Sequence, residues 1–180
     1  YLIFRYLKLI PKEMLKRLHI LFFLGLSQGL VGWYMVKSGL VDKPDVSHYR
    51  LAFHFMLAIL IYSILFWLIL ETNKTLYKRK RTKTNKKNRI KQGSLLFTFI
   101  LTIQILYGVL MAGLKGGLGF NTWPKMGNEW FPNAILIKKN VLLNFLESPY
   151  VLQFIHRWLG FGLIILAIIL VRLIIKSNPI

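Results

Sequence analysis

The chain has 180 residues, of which 55% are hydrophobic, and it carries a formal net charge of +19 at pH 7 and no cysteine. Without cysteine it can form no disulfide, thiolate metal site, iron–sulfur centre or c-type heme attachment, so any metal chemistry must use histidine or oxygen ligands. The apolar residues form long blocks with the charge packed between them. This excludes a soluble basic domain, which spreads Lys and Arg around a modest core.

The chain begins with a short apolar and basic segment, Tyr1–Ile10, which looks like the cytoplasmic end of a helix and is too short for a complete span. It lacks the short apolar core and small-residue cleavage site of a signal peptide. Tyr1 is not an initiator methionine, and the sequence stops just after a predicted helix, at Lys176–Ile180. We therefore expect the sequence to be truncated at its N-terminus and to lack a C-terminal part.

Four apolar blocks follow, and each approaches the roughly 20 residues that a helix needs to cross a bilayer. They cover about Leu18–Val36, Leu51–Leu70, Ser94–Leu114 and Tyr150–Val171. Only the last block contains a charged residue in its interior, Arg157. The sequence therefore predicts an all-α protein, a polytopic membrane bundle.

Lys and Arg are unevenly distributed between the connections. If the blocks alternate across the membrane, the N-terminal segment, the connection 73–93 and the C-terminal flank share one side, and these segments carry most of the basic residues. Because positively charged loops stay in the cytoplasm, this side is predicted to be cytoplasmic. Loops 37–50 and 115–149 are then predicted to be periplasmic, and the second is expected to contain a short interfacial helix near Ala134–Phe145.

The most basic segment of the chain is the run Lys74–Lys91. Apart from Tyr77 it has no interleaved aromatic residue, so it offers no stacking platform for nucleic acid. We interpret it as a loop that sets the topology and contacts anionic membrane lipid, with no nucleic-acid partner.

Two of the four histidines lie at polar borders. His19 follows Lys16 and Arg17 at the cytoplasmic start of the first block, and His48 lies in the outer loop before the second block. Both are interpreted as interfacial residues and not as metal ligands.

His54 and His156 lie inside the outer ends of their blocks, roughly 5–10 Å below the surface at 1.5 Å per residue. Ionisable residues at that depth are candidate functional residues, and neutral imidazole is the usual axial ligand of heme iron. Ala58 and Gly160 lie one turn further in on the same faces, where small residues leave a groove for a porphyrin. Zinc is disfavoured because no carboxylate or thiol is available at that depth. An imidazole hydrogen-bonded to a neighbouring helix is the alternative for each.

A weak internal repeat relates the two histidines. Gln28-x-x-x-Gly32 ends one helix before an outer loop and the His54 helix, and Gln104-x-x-x-Gly108 has the same relation to the His156 helix. Small-residue patterns of this kind are common in membrane helices, where they indicate close packing and no particular function.

The segments around these histidines resemble heme A synthases. The specific strings are Asn121-Thr122-Trp123-Pro124 and Gln153-Phe154-Ile155-His156-Arg157, with further similarity in residues 32–40, 49–54, 112–114 and 119–126. Their order and placement match the family over nearly the whole chain, whereas the basic run matches only in position. The absence of cysteine is typical of the proteobacterial and mitochondrial subgroup.

The resemblance implies an eight-helix protein made of two similar four-helix bundles, of which this chain covers about helices 2–6. Residues 1–72 would be the rest of the N-terminal bundle, with helices at about 1–10 (partial), 18–36 and 51–70. Residues 73–93 would form a basic cytoplasmic linker. Residues 94–180 would begin the C-terminal bundle, with helices at about 94–114 and 150–173 around the outer loop 115–149.

The activity implied by the resemblance is oxidation of the C8 methyl of heme O to a formyl group, which gives heme A for terminal oxidases. His54 would ligate the iron of the substrate heme and His156 that of a heme b cofactor, each with a partner histidine outside this sequence. The residues alone would also allow both to share one heme, and the family pattern argues against that. Arg157 and Arg50 are candidates to pair with heme propionates, with snorkelling to lipid headgroups as the alternative.

The resemblance also implies a setting: the bacterial inner membrane, or the mitochondrial one in a eukaryote. Heme O synthase and an electron-transfer partner are the expected partners, an oligomer is compatible with the sequence, and this piece alone is expected to be inactive. The main alternative is a non-enzymatic membrane cytochrome b. A transporter would need helices broken near the midplane, and no Gly or Pro interruption is placed in that way.

Overall fold

The computed structural model describes residue 6 and residues 11–39, 45–73, 85–131 and 141–177. Five α-helices have bounds in these ranges: α1 (Lys12–Gly39), α2 (His48–Asn73), α3 (Asn85–Gly113), α4 (Val141–Glu147) and α5 (Pro149–Ser177). A 3-10 turn at Gly116–Leu118 follows α3, and the described ranges contain no strand beyond an isolated bridge between Met126 and Glu129. The predicted all-α class is confirmed.

Helices α1, α2, α3 and α5 are long and apolar enough to cross a membrane, which confirms the four predicted spans. Each exceeds its apolar block: α1 begins at Lys12, just under two turns before Leu18, and α3 begins at Asn85, about two and a half turns before Ser94. Hydropathy marks the part that fits the hydrocarbon, whereas helical hydrogen bonding continues into the polar interface. Large apolar side chains on these helices are exposed, as expected where lipid is the solvent.

The chain divides into two compact units, Tyr1–Arg79 and Lys80–Ile180. In the first unit α1 and α2 form an antiparallel hairpin. Arg17 on α1 forms an ion pair with Glu71 on α2, and Gln28 contacts His54 near the end at which the two helices connect. The ion pair is partly exposed, so we attribute the hairpin mainly to helix packing.

The second unit is an antiparallel hairpin of α3 and α5, on which α4 and the 3-10 turn pack. The helices approach closely at Gly93, where a Cβ atom would lie 2.6 Å from the Leu170 side chain. Near the connected end, Asn144, Ser148 and Leu152 are almost completely buried. This buried cluster fixes α4 against the beginning of α5.

Several predictions fall on residues outside the described ranges. They include most of the partial helix at 1–10 and residues 74–84 of the basic run. Residues 134–140 of the expected interfacial helix also lie outside them, while the described helix in that region, α4, covers Val141–Glu147.

Candidate functional site

The His54 imidazole lies near the beginning of α2 and faces α1. The amide nitrogen of Gln28 is 3.2 Å from His54 Nε2 and 3.2 Å from the His54 backbone oxygen. A carbonyl oxygen only accepts hydrogen bonds, so Gln28 must turn its NH₂ group toward both atoms. The amide therefore donates to Nε2, and the proton of the neutral ring is on Nδ1.

Gly32 forms the surface on which the His54 ring packs. A Cβ atom on Gly32 would lie 3.0 Å from His54 Cε1, so any larger residue requires the ring to move. His54 Nδ1 is buried and has no hydrogen-bond partner within the described ranges. An unsatisfied buried donor costs about 1–3 kcal/mol, and the site thus has unused capacity for a polar partner.

His156 on α5 has the same relation to α3. Its Nδ1 is 3.1 Å from the backbone oxygen of Gln104, and its Nε2 is 3.4 Å from the Gln104 amide nitrogen. Because the backbone oxygen can only accept, Nδ1 carries the proton and Nε2 accepts from the amide. A Cβ atom on Gly108 would lie 2.8 Å from His156 Cε1, so the glycine lets the ring reach the Gln104 carbonyl.

The small residue below His156 makes room for a glutamine side chain. A Cβ atom on Gly160 would lie 3.3 Å from the Gln104 amide nitrogen. The groove predicted there for a porphyrin therefore holds this amide in the structure. The repeated Gln-x-x-x-Gly pattern was visible in the sequence, but the contacts of its glutamines with the histidines were not predicted. A polar residue at the same level as each histidine was the available signal.

Arg157 on α5 forms hydrogen bonds with the segment that follows the 3-10 turn and holds it against this helix. Its Nη1 donates to the backbone oxygens of Thr122 at 3.0 Å and Lys125 at 3.1 Å, and its Nη2 is 3.5 Å from that of Phe120. Gln153 also donates to the Phe120 oxygen, at 2.8 Å. The segment that contains the Asn-Thr-Trp-Pro string is thus fastened to the helix that carries the second histidine.

Aromatic side chains cover this fastened segment. The Trp123 ring centroid is 6.1 Å from that of Phe161, and the Trp130 centroid is 6.4 Å from that of Trp158. Such aromatic residues are typical of the membrane–water interface, where one edge of the ring contacts water and the rest contacts lipid.

Arg50 precedes His54 by one turn and borders a cavity. Its guanidinium carbon is 4.8 Å from the centroid of the Tyr34 ring, which is a cation–π distance. The cavity measures about 420 Å³. It is lined by Leu30, Val31, Tyr34, Tyr49, Arg50 and Phe53. Apolar walls with a cation among them suit an apolar molecule that carries an anionic group.

The donor set fits an axial heme ligand better than a chelated ion. Across the part of the chain that the structure describes, no three His, Cys, Asp or Glu side chains are grouped closely enough to hold a metal ion. His54 and His156 belong to different units, and each offers one imidazole between apolar helices. A porphyrin would supply the other equatorial nitrogen ligands, so His54 and His156 could each hold a heme with one imidazole from this chain.

The fold and the site together define a polytopic membrane protein that presents one histidine from each of two similar helix hairpins. Residues 1–179 match the COX15-CtaA family, described as cytochrome oxidase assembly protein, and the chain belongs to that family.

Relatives of the chain carry the name heme A synthase. The one from Rhizorhabdus wittichii is 41% identical over 152 residues, 84% of this chain and 43% of the relative. The one from Pelagibacter ubique is 38% identical over 151 residues, and that from Wolbachia sp. subsp. Brugia malayi is 36% identical over 163 residues. The Pelagibacter match covers 83% of this chain and 43% of the relative, and the Wolbachia match covers 91% of this chain and 48% of the relative. The chain therefore spans less than half the length of these relatives. No solved structure matches the chain.

Proposed function

We propose that the protein containing this chain is a heme A synthase, an oxidoreductase that converts the C8 methyl group of heme O into a formyl group. Family membership and the relatives of that name support the proposal. The structural observation that carries it is the repeated site, in which an imidazole is held by a glutamine and packed on a glycine in both units. Two such sites suit a reaction that needs a substrate heme and a cofactor heme.

His54 is the proposed iron ligand of the substrate heme O, and His156 that of a resident heme b. The tautomers fit this role because Nε2 of both rings carries the lone pair that iron would accept. The Nδ1 proton of His156 is bound by a backbone carbonyl, which is the usual support of a metal-binding histidine. A bound heme supplies the redox chemistry, while the protein holds the macrocycle in position and sets its electrostatic surroundings.

Arg50 and Arg157 are the proposed partners of the heme propionates. A guanidinium presents five N–H donors and forms strong paired hydrogen bonds with carboxylates. Arg50 lies one turn from His54 beside an apolar cavity, and Arg157 directly follows His156. Because Arg157 also holds three backbone oxygens, a propionate bound there would couple heme binding to the position of the segment 120–125.

The proposed orientation places the connected ends of both hairpins on the periplasmic side of a bacterial inner membrane. It follows from the basic residues at the other ends and in the connection 73–93. Both histidines then lie near the outer face. Heme O synthase, as the source of substrate, and an electron-transfer protein are the proposed partners.

The test is heme A formation by the full-length protein in cells from which the endogenous heme A synthase has been deleted. Extracted pigment should contain heme A with the wild-type protein and none with His54→Ala. His19→Ala, which changes a histidine at the other end of the hairpin, should leave heme A unchanged. Pigment containing heme B alone with the wild-type protein would indicate a non-enzymatic cytochrome b and overturn the proposal.

A further inference from the structure

In both hairpins a glutamine amide is directed at the acceptor nitrogen of the histidine. The distances from amide nitrogen to Nε2 are 3.2 Å for Gln28 and His54 and 3.4 Å for Gln104 and His156. A neutral imidazole has one N–H and one in-plane lone pair. The His54 backbone oxygen accepts from the Gln28 amide, and the Gln104 backbone oxygen accepts from His156 Nδ1. Both contacts assign the lone pair of the ring to Nε2. An iron ion and the amide N–H would therefore compete for the same electron pair.

We propose that Gln28 and Gln104 are positioning residues that hold the iron-binding nitrogens of His54 and His156 before heme binds and leave them when iron is ligated. The inference rests on the proposed heme ligation. If heme bound there, the N–H···N hydrogen bond would break and Nε2 would offer its lone pair to the iron. Nδ1 keeps its proton throughout, so the imidazole releases none.

The position of the two sites explains why such a bond is useful. Both histidines lie in helices that are apolar enough to span a membrane, where an unpaired polar group is costly. The amide satisfies Nε2 in this setting. It also fixes the tautomer, because an N–H directed at Nε2 excludes a proton from that nitrogen. The histidine is thus kept in the form that ligates iron.

The amides are held weakly enough to be displaced. The carboxamide oxygens of Gln28 and Gln104 are buried and have no hydrogen-bond partner within the described ranges. The Gln104 amide nitrogen makes its described contact with His156 at 3.4 Å, near the upper limit for a hydrogen bond. Gln28 makes a second bond, to the His54 backbone oxygen at 3.2 Å. Gln104 can therefore leave Nε2 of His156 by breaking one long bond. Gln28 can leave Nε2 of His54 while its second bond keeps the amide on the His54 backbone oxygen.

The test is titration of the full-length protein with heme B after its bound heme has been removed, in a His54→Ala background that isolates the His156 site. Gln104→Leu removes the competing donor at similar side-chain volume. Its Kd for heme B should be about fivefold lower, because one neutral hydrogen bond no longer opposes ligation. The low-spin absorption spectrum should match that of the His54→Ala parent with Gln104 intact, because the amide would not contact the ligating nitrogen in the loaded protein.

Two further variants keep the test decisive if Gln104→Leu does not accumulate. Gln104→Asn has an amide one methylene shorter, which no longer reaches Nε2, and should tighten heme binding in the same way. Gln104→Glu replaces the donor with an acceptor that draws the ring proton to Nε2, and should weaken heme binding. The matched control is Gln153→Leu, since Gln153 is a buried glutamine that donates to the Phe120 backbone oxygen and should not tighten binding when removed.

The outcomes separate this inference from the proposed function. Equal or weaker heme binding by Gln104→Leu and Gln104→Asn, or a shifted absorption spectrum, would show that the amide supports the bound ligand and would overturn the inference alone. A protein with an intact Gln104 that binds no heme at His156 would overturn the proposed ligation and this inference with it.

Discussion

The two hairpins hold their histidines with the same residue types but with different bonds. In the second, His156 is fixed at both ring nitrogens, by the backbone oxygen and by the amide of Gln104. In the first, His54 is held at Nε2, while its buried Nδ1 has no partner within the described ranges. A ring fixed at Nδ1 suits a permanently bound heme, whereas a ring held at one nitrogen can adjust as a substrate binds and leaves. The comparison agrees with the proposed assignment of heme b to His156 and heme O to His54.

The arginines near the two histidines also differ in their contacts. Arg157 binds backbone oxygens of the segment 120–125 and thereby fastens it to α5. Arg50 packs against the Tyr34 ring and borders a cavity. The second hairpin is thus organised around a fixed segment, and the first around a space that a ligand can fill.

The largest expected effect comes from substituting the glycines that pack against the two histidine rings, Gly32 and Gly108. A methyl group on Gly108 would lie 2.8 Å from the His156 ring, which is fixed at Nδ1 and cannot move aside. Gly108→Ala should therefore destabilise the protein by about 1–3 kcal/mol, as overpacking does, and lower its heme b content. Gly32→Ala should have a smaller effect, since the contact would be 3.0 Å and the His54 ring is not held at Nδ1.

The controls are one glycine from each unit, Gly29 from the first and Gly162 from the second. Nothing lies within 4 Å of a Cβ atom placed on Gly29 or Gly162. Gly29→Ala and Gly162→Ala should be neutral or stabilise their helices by up to about 1 kcal/mol. Thermal unfolding in detergent and heme content per protein give the comparison. Equal effects of Gly32→Ala and Gly108→Ala would show that the two rings are equally constrained.

A smaller effect, on local backbone stability, is expected when the hydrogen bonds from Arg157 to the segment 120–125 are removed. Arg157→Gln should lose hydrogen bonds to the backbone oxygens of Thr122 and Lys125, and amide hydrogen exchange in the segment 120–127 should accelerate by about tenfold. Arg50→Gln, which changes an arginine near the first histidine, should leave exchange in that segment unchanged. If Arg157→Gln does not accelerate it, the other contacts of the segment are sufficient to hold it.

The four spans could be predicted because each depends on hydropathy along a single helix. The depth of the histidines below the outer surface stays a prediction. The predicted boundaries were short by up to about two and a half turns, since helical hydrogen bonding continues beyond the apolar stretch at Lys12 and Asn85. The contact between each histidine and its glutamine depends on the register of two helices, which the repeated pattern did not determine. The hydrogen bonds from Arg157 to backbone oxygens could not be predicted either. Every residue has a backbone oxygen, so the residue types do not indicate which oxygens accept from Arg157. Ligand roles for His54, His156, Arg50 and Arg157 stay predictions.

Heme composition of purified full-length His54→Ala and His156→Ala tests most directly whether the hairpins hold different hemes. Pigments would be extracted, separated and normalised to protein. His156→Ala should lose heme B and keep a farnesylated heme, while His54→Ala should keep heme B and lose the farnesylated heme. Loss of the same heme from both variants, or wild-type heme content in either, would contradict the account.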